Sequence, residues 1–358
     1  MSVMNVVGRT RSASPLDGGF QHEAMLYSGQ EQFVDRTARF VRAGLRAGEP
    51  VLVAVIEPRA ELLRRELGQD AEQVEFLDMQ ALGRNPARII PAWQEWVGQN
   101  AGAGPGLRAV GEPVWAARTA AELTECEQHE LLLALAFGDG PGWRLICPYD
   151  TATLAAEVVG RVCRTHALTS EGDEPRTSPE YPHPETTIES VRSSGLPEPG
   201  AVAHQMDFGR DHLGGVRRAV AGQAGLFGLV GQRGEDLVLV ASELASNSVR
   251  HGGGEGRLRM WRDGGDLVCE VRDRGYIADP LVGRRRPAIA AAEGGAGLWM
   301  TNQLCDLVQI RSSEQTGTVV RVRIALPHAS AAPEPAGSSD VPERGPQGDR
   351  GDIGGPGK

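Results

Sequence analysis

Residues 170–200, SEGDEPRTSPEYPHPETTIESVRSSGLPEPG, are dense in Pro, Ser, Glu and Thr and nearly empty of aliphatic side chains. Such a stretch buries too little apolar surface to offset the entropy of ordering it, so a disordered linker is expected there. The stretch 328–358, ending GPQGDRGDIGGPGK, has the same character and is expected to be a disordered tail. The two remaining segments, 18–169 and 201–327, are each long enough for a domain with its own core. Two folded units on a flexible tether are the expectation.

Charge narrows the partners. Lys and Arg number 37 against 47 Asp and Glu, interspersed to a net −10, with no basic stripe. Direct nucleic-acid binding is therefore not expected. Five cysteines, an odd number scattered through apolar stretches, read as buried reduced thiols. Cys126 and His129 in CEQH come nearest to a metal-ligand spacing, but one such pair without a second does not make a site. The N-terminus lacks the apolar core of a signal peptide, and runs such as VLVAVI are too short to span a bilayer. A cytoplasmic protein with no membrane segment is expected.

The first unit alternates two periodicities. EQFVDRTARFVRAGLRAG carries Phe33, Thr37, Phe40, Val41 and Leu45 at helical spacing and stops at Gly48. EPVLVAVIEP then reads as a fully buried strand, followed by amphipathic helix over 59–67 and a strand at VEFLDM. Further on, ARIIPAWQEWVGQ and AELTECEQHELLLALAF read as helices, and LRAVGEPV and WRLICPYD as strands. Strands alternating with helices imply a doubly wound α/β sheet with parallel strands. There is no G-x-x-x-x-G-K-[ST] phosphate loop; the strand ends carry IEP, GEP and CPYD instead. Carboxylates there either line the ligand crevice of an α/β sheet or serve as turn and cap residues.

HEAMLYSGQEQFVDRTARFVRAGLRAGEPVLVAVIEP (22–58), LRAVGEPVW (107–115) and CPYD (147–150) resemble the MEDS sensory domain over most of 20–168. The resemblance implies an α/β domain attached to a bacterial regulator. It also implies that a small-molecule effector is sensed through the region of His22 and Tyr27, with no catalytic residue.

In the second unit, Leu237, Val240, Leu244 and, more weakly, Ser248 form one stripe of a helix over 236–251 that faces a core. Glu243, Asn247 and His251 form a second stripe beside it at four-residue steps, drifting about 40° per step. That stripe is either a polar surface or the floor of a site for a metal ion and a phosphate. Downstream, GRLRMWRDGGDLVCEVRDRG reads as a β-hairpin whose second strand ends at Asp273, followed by Gly275. A long irregular stretch leads to Gly294, Gly295 and Gly297 ahead of LWM. Glycines opening a helix leave N–H groups free to approach phosphate oxygens. GTVVRVRIAL is the last strand, with Val320, Val322, Ile324 and Leu326 alternating.

These boxes, in this order, resemble the Bergerat-fold (GHKL) ATPases over 203–326, a two-layer α/β sandwich with a histidine-kinase-like ATPase fold. Within them the unit is most similar to the anti-sigma regulatory factors, which are serine/threonine-protein kinases. The resemblance implies ATP and Mg²⁺ as cofactors. Carried over by position, Asn247 would coordinate Mg²⁺, and Glu243 would be the general base. Asp273 would accept from the adenine amine, and Gly275 would admit the base. Gly295, Gly297 and Leu298 would form the phosphate-binding end of the lid, with Thr318 behind the adenine. The usual second glycine of the first box is replaced by Ile277 in DRGYI. Arg284, Arg285 and Arg286 in GRRRP either reach phosphates or a partner, or form a solvated loop. His251 is either structural or a ligand contact, and HGGGEG either a phosphate cradle or a helix stop.

By this resemblance the ATP-bound protein would sequester a sigma factor. It would phosphorylate a serine of an anti-anti-sigma (STAS) partner, under control of the N-terminal unit. The alternative is a nucleotide-gated binding module without phosphate transfer. A histidine kinase using His212 is disfavoured, because about 25 residues leave no room for a dimerisation hairpin. The flexible linker argues against a rigid relay, so ligand-dependent docking or dimerisation is expected. Homodimers are expected by analogy with the family.

Overall fold

The apolar runs of the first unit become strands of one sheet in the computed structural model, which describes residues 19–327 except 139, 173, 183 and 288–294. The chain begins β1 (Gln21–Tyr27), α1 (Gly29–Arg46), β2 (Val51–Val55), α2 (Glu57–Leu67), β3 (Val74–Asp78) and α3 (Met79–Leu82). It continues α4 (Ile89–Asn100), β4 (Arg108–Gly111), α5 (Ala120–Phe137), β5 (Arg144–Asp150), α6 (Ala156–Thr165), β6 (Leu168–Ser170) and β7 (Arg176–Thr177). The strand order is β3-β2-β4-β5-β1-β6-β7, parallel except where β7 turns back on β6. Both faces are covered, which is why VLVAV is apolar without alternation. On one face Leu52, Ala54, Ala109 and Leu145 pack with Trp93 and Trp96 of α4 and Leu131, Leu132 and Leu133 of α5. On the other, Val51, Val53, Val55 and Ile146 meet Phe33, Val41 and Leu63 of α1 and α2. α5 starts at a capping box: the Thr119 hydroxyl accepts from the Glu122 N–H, and the Glu122 carboxylate accepts from that of Thr119.

After α7 (Pro184–Ser193), the second unit runs β8 (His204–Gly209), α8 (Leu213–Leu226), α9 (Gln232–His251), β9 (Glu255–Asp263), β10 (Asp266–Asp273), α10 (Ala296–Leu304), β11 (Leu307–Ser313) and β12 (Gly317–Ala325). Its sheet is antiparallel in the order β11-β12-β10-β9-β8. Leu267, Cys269 and Val271 of β10 and Val320, Val322 and Ile324 of β12 turn to one face, where α8, α9 and α10 cover them. The alternate residues put charge on the other face: Glu270 is fully buried there and accepts from Arg259, Arg272 and Arg321. The chain is thus a doubly wound parallel sheet followed by a two-layer α/β sandwich.

The expected linker is corrected in the described residues. Residues 170–200 contribute β7 and α7, and α7 buries Ile188 in the first unit's core with Val191 against it. Arg192 donates to the carbonyls of Ile277 and Ala278. Beyond α7 the chain lies on the charged face of the second sheet. There the Pro197 carbonyl accepts from Arg321, and the Glu198 carboxylate bridges Arg259 and Arg272. Average composition missed this because a ten-residue helix needs only one apolar step when its partner surface is built by other elements. Burying Ile188 alone contributes roughly 1.5–3 kcal/mol. The expected tail, 328–358, lies outside the described residues. No helix among the described residues is long and apolar enough to cross a membrane.

Candidate functional site

α9 has two working faces. Leu237, Val240, Leu244 and Ser248 are buried against the sheet, while Glu243 and Asn247 stand half-buried beside them. Gly231 before the helix has φ +62°, and Gly252 caps its end. The Asn247 side-chain oxygen accepts from Arg250 at 3.0 Å.

Asp273 ends β10 directly opposite Thr318 of β12. One carboxylate oxygen accepts from the Ser248 hydroxyl at 2.6 Å and the other from the Gly275 N–H at 2.8 Å. Each oxygen keeps a further lone pair. The helix end presses on this carboxylate: a Cβ on Gly252 would fall 2.4 Å from Asp273 Cγ. A Cβ on Gly275 would fall 2.8 Å from the His251 carbonyl and 2.9 Å from Gly252 Cα. A hydroxyl chain then fixes the loop after β10. The Ile277 N–H donates to Ser312 (2.9 Å), the Ser312 hydroxyl donates to that of Thr318 (2.7 Å), and Thr318 donates to the Gly275 carbonyl (2.8 Å).

α10 opens at Gly295, whose φ of +108° favours glycine. At Gly297 a Cβ would sit 3.0 Å from the Glu243 carboxylate and 3.4 Å from the Asn247 amide nitrogen. The start of α10 therefore lies against the polar stripe of α9. Between these elements is a cavity of about 300 Å³. Asn247, Asp273, Gly275, Gly295, Leu298 and Thr318 line it, with His251 on its rim and Leu244, Val271, Ile277, Val282 and Val320 as apolar walls. Glu243 stands outside that lining, beside Gly297. The volume is at the small end of small-molecule sites, about 300–1,000 Å³. Gly294 lies outside the described residues. His212 is in the turn before α8, where its Nδ1 accepts from the Gly209 N–H.

Ser248, by its spacing only a weak member of the apolar stripe, is the partner of Asp273, and no local pattern signals that role. The grip of the first unit on the segment around α10 is likewise without a local signal. Asn85, fully buried, donates to the Asn302 carbonyl (3.0 Å), and Arg88 donates to the carbonyls of Asn302, Gln303 and Cys305. Arg88 thus satisfies the orphan carbonyls at the C-terminus of α10, where a cation is also favoured by the helix dipole. Ahead of α10, Leu281 is buried in the first unit's core, and Arg284 lies 3.6 Å from the Glu125 carboxylate of α5. On β11, Arg311 donates to the same carboxylate at 2.8 Å. Arg284 is therefore neither on a solvated loop nor at the cavity, and burial lowers its pKa. Arg285 and Arg286 reach Asp279 and Glu95.

In the first unit, the strand-end carboxylates Glu112 and Asp150 gather around Arg59, while Glu57 pairs with Arg64. Tyr27 is buried beneath Arg59, and its phenol is pushed up to about 12, burial being the main cause. His22 is buried as well, and desolvation takes its imidazole down to about 3. Cys126 donates to the Pro113 carbonyl, and burial raises its thiol to about 12. Neither it nor His129 belongs to a cluster of three or more ligating side chains among the described residues.

Comparison with known proteins adds two matches. Residues 21–167 match the sequence model of MEDS, described as the MEthanogen/methylotroph, DcmR Sensory domain. Residues 209–324 match that of the histidine kinase-like ATPase domain. No curated protein matches the chain. A chain from the crystal structure of the SiaB-SiaC complex from Pseudomonas aeruginosa is similar over 40% of this chain and 96% of its own. Its identity is 11% and its TM-score 0.27, a likeness too loose to support an inference. The chain thus carries a MEDS domain followed by a histidine kinase-like ATPase domain.

Proposed function

We propose that the C-terminal domain binds Mg-ATP in the cavity between α9, β10, β12 and α10, and that the chain is an anti-sigma regulatory factor. In this reading the nucleotide-bound protein sequesters a sigma factor. It also phosphorylates a serine of a STAS partner that would otherwise displace it. The observation that supports the reading most is the convergence of Glu243 and Asn247 on Gly297 at the start of α10.

The residues present suit the nucleotide. Asp273 keeps lone pairs for the adenine amine after Ser248 and Gly275 have taken one each. Gly275 and Gly252 leave that carboxylate uncovered, where any side chain would intrude. Thr318 holds the Gly275 loop behind the base, and Leu298 contributes to the apolar wall. Asn247 offers its side-chain oxygen to Mg²⁺ once Arg250 releases it. Gly295 and Gly297 let the first turn of α10 present N–H groups to phosphate. Bound ATP supplies the phosphoryl group, with Mg²⁺ neutralising its charge. Glu243 orients the serine hydroxyl and takes its proton.

The MEDS domain acts on this site by direct contact rather than through a loose tether. Glu125 holds Arg284 and Arg311 on either side of α10, and Arg88 holds its C-terminus. A signal that moves α5 or the 83–88 loop therefore shifts the element that faces Glu243 and Asn247.

The test uses labelled ATP and candidate STAS proteins, scoring phosphoserine. Asn247→Ala loses Mg-ATP binding, whereas Glu243→Ala keeps binding and loses transfer. Transfer by Glu243→Ala equal to that of the parent removes the general base. Nucleotide-dependent sigma binding with no transfer by any form leaves the gated module.

A further inference from the structure

The core of the MEDS domain holds a second set of polar side chains that the nucleotide reading does not use. His22 on β1, Cys147 on the adjacent β5, Glu130 on α5 and His166 just after α6 place four potential ligand atoms within 4.8 Å of one another, all four residues buried. Glu130 Oε2 is 2.9 Å from His22 Nε2, 3.5 Å from His166 Nε2 and 3.7 Å from Cys147 Sγ. Cys147 Sγ is 3.4 Å from His22 Nε2. Four ligands at zinc distances, about 2.0–2.3 Å from the ion, stand roughly 3.3–3.6 Å apart at the corners of a tetrahedron. Of the observed separations, 3.4 and 3.5 Å fall in that range and 3.7 Å lies just beyond it, while the 2.9 Å pair has to open by a few tenths of an ångström.

Two further features point to an ion. His166 is 0% exposed, and its Nε2 has no hydrogen-bond partner. Its other ring nitrogen is engaged, 3.1 Å from the Val162 carbonyl and 2.9 Å from Thr165 Oγ1. An N–H on Nδ1 donating to that carbonyl turns the Nε2 lone pair into the cluster, the arrangement that orients metal-bound histidines. Tyr149 in turn donates to Glu130 Oε1 at 2.8 Å, which aims Oε2 at the other three ligands. The second feature is charge. Among the described residues, the basic side chains within ion-pair distance of the Glu130 carboxylate, 2% exposed, are the two imidazoles, which burial keeps neutral. A divalent cation with one carboxylate, one thiolate and two neutral imidazoles makes a buried unit of zero net charge, which removes the penalty of an isolated buried ion.

We propose that His22, Glu130, Cys147 and His166 form a closed tetrahedral site for a divalent ion of the zinc type. Thiolate and imidazole donors select zinc over the oxygen-seeking Mg²⁺ and Ca²⁺. Loading exchanges the thiol proton of Cys147 for the ion, and the proton leaves to solvent. With four protein ligands and none left for substrate, the ion fastens β1, β5, α5 and α6 together rather than performing chemistry.

The full chain, stripped with chelator and checked for its native circular dichroism, is titrated with Zn²⁺ and separately with Co²⁺. One equivalent is expected per chain. The cobalt form should show the intense visible bands of tetrahedral coordination and a thiolate-to-metal band in the near ultraviolet. Cys147→Ser removes the thiolate band. Tyr149→Phe, which keeps all four ligands, weakens Zn²⁺ by about 10- to 100-fold. Folded wild-type protein that takes up no stoichiometric ion overturns the proposal without recourse to any variant. So does a cobalt spectrum unchanged in Cys147→Ser, which would place the ion elsewhere.

Discussion

α5 and α9 are both long helices with glutamates near their middles, and they use them in opposite ways. α9 keeps one face on its sheet and turns the other toward a cavity, so Glu243 stands half-buried beside the start of α10. α5 is buried almost all round along its middle: Glu125, Cys126, Gln128, His129 and Glu130 are all buried, and only Glu127, paired with Arg161, is partly exposed. Its carboxylates are committed, Glu125 to Arg311 and Arg284, Glu130 to His22 and Tyr149. Glu125, matched by two buried arginines of the second domain, holds the domains together, while Glu130 stays within the first. Glu243, beside Gly297, is the carboxylate that the proposed phosphate transfer would use.

The largest expected effect tests that contrast in stability. Glu125→Ala leaves Arg284 and Arg311 buried without their acid and should cost about 3–5 kcal/mol. Glu243→Ala removes a half-buried side chain beside the start of α10 and should stay within about 0.5 kcal/mol. Denaturant unfolding of the full chain decides it, and equal midpoints for the two variants break the comparison.

Two glycines sharpen it on the α9 side. Gly275→Ala drives a Cβ into the His251 carbonyl and Gly252 Cα, backbone atoms that move only with the helix end, so a loss of about 1–3 kcal/mol is expected together with weaker nucleotide binding. Gly297→Ala meets the flexible end of Glu243 instead, and alanine is favoured over glycine in a helix by up to about 1 kcal/mol. Its stability should hold or rise while nucleotide affinity falls, read by melting and calorimetry on the same protein. A Gly297→Ala that binds nucleotide as the parent does would separate the start of α10 from the site.

The contrast also explains what the sequence could reveal. α9 was legible because its two stripes differ in polarity and its glycine boxes follow in a fixed order. The parallel strands were legible because a strand buried on both faces is an unbroken apolar run. α5 hid its role: with polar and apolar residues buried alike around the helix, no periodicity separates Glu125 and Glu130 from the leucines. Their partners lie far along the chain, Arg311 at a separation of 186 residues and His22 on the first strand. Asn85 and Arg88 were equally silent, since a residue that caps another domain's helix leaves no local pattern. α7 was missed for the opposite reason. Its surroundings are so polar that one buried isoleucine did not register, yet Ile188, Arg192 and Glu198 tie that stretch to both domains.

The smallest effect comes from Glu198, which has the same two-arginine pairing as Glu125 but in water. Hydrogen bonds from Arg259 and Arg272 hold its carboxyl at about 2, against an ordinary value of 4.5, while its side chain remains 63% exposed. A folded-state pKa below the unfolded one gives stability that is complete above pH 4.5 and is lost as pH falls toward about 2. Glu198→Gln should therefore flatten the acid limb of the stability curve over that window and change nothing below it. Solvent screening keeps the difference small, and added salt should erase it. If Glu198→Gln instead costs as much at neutral pH as Glu125→Ala, then burial is not what separates the two glutamates, and pairing with two arginines is enough to lock a carboxylate into the fold.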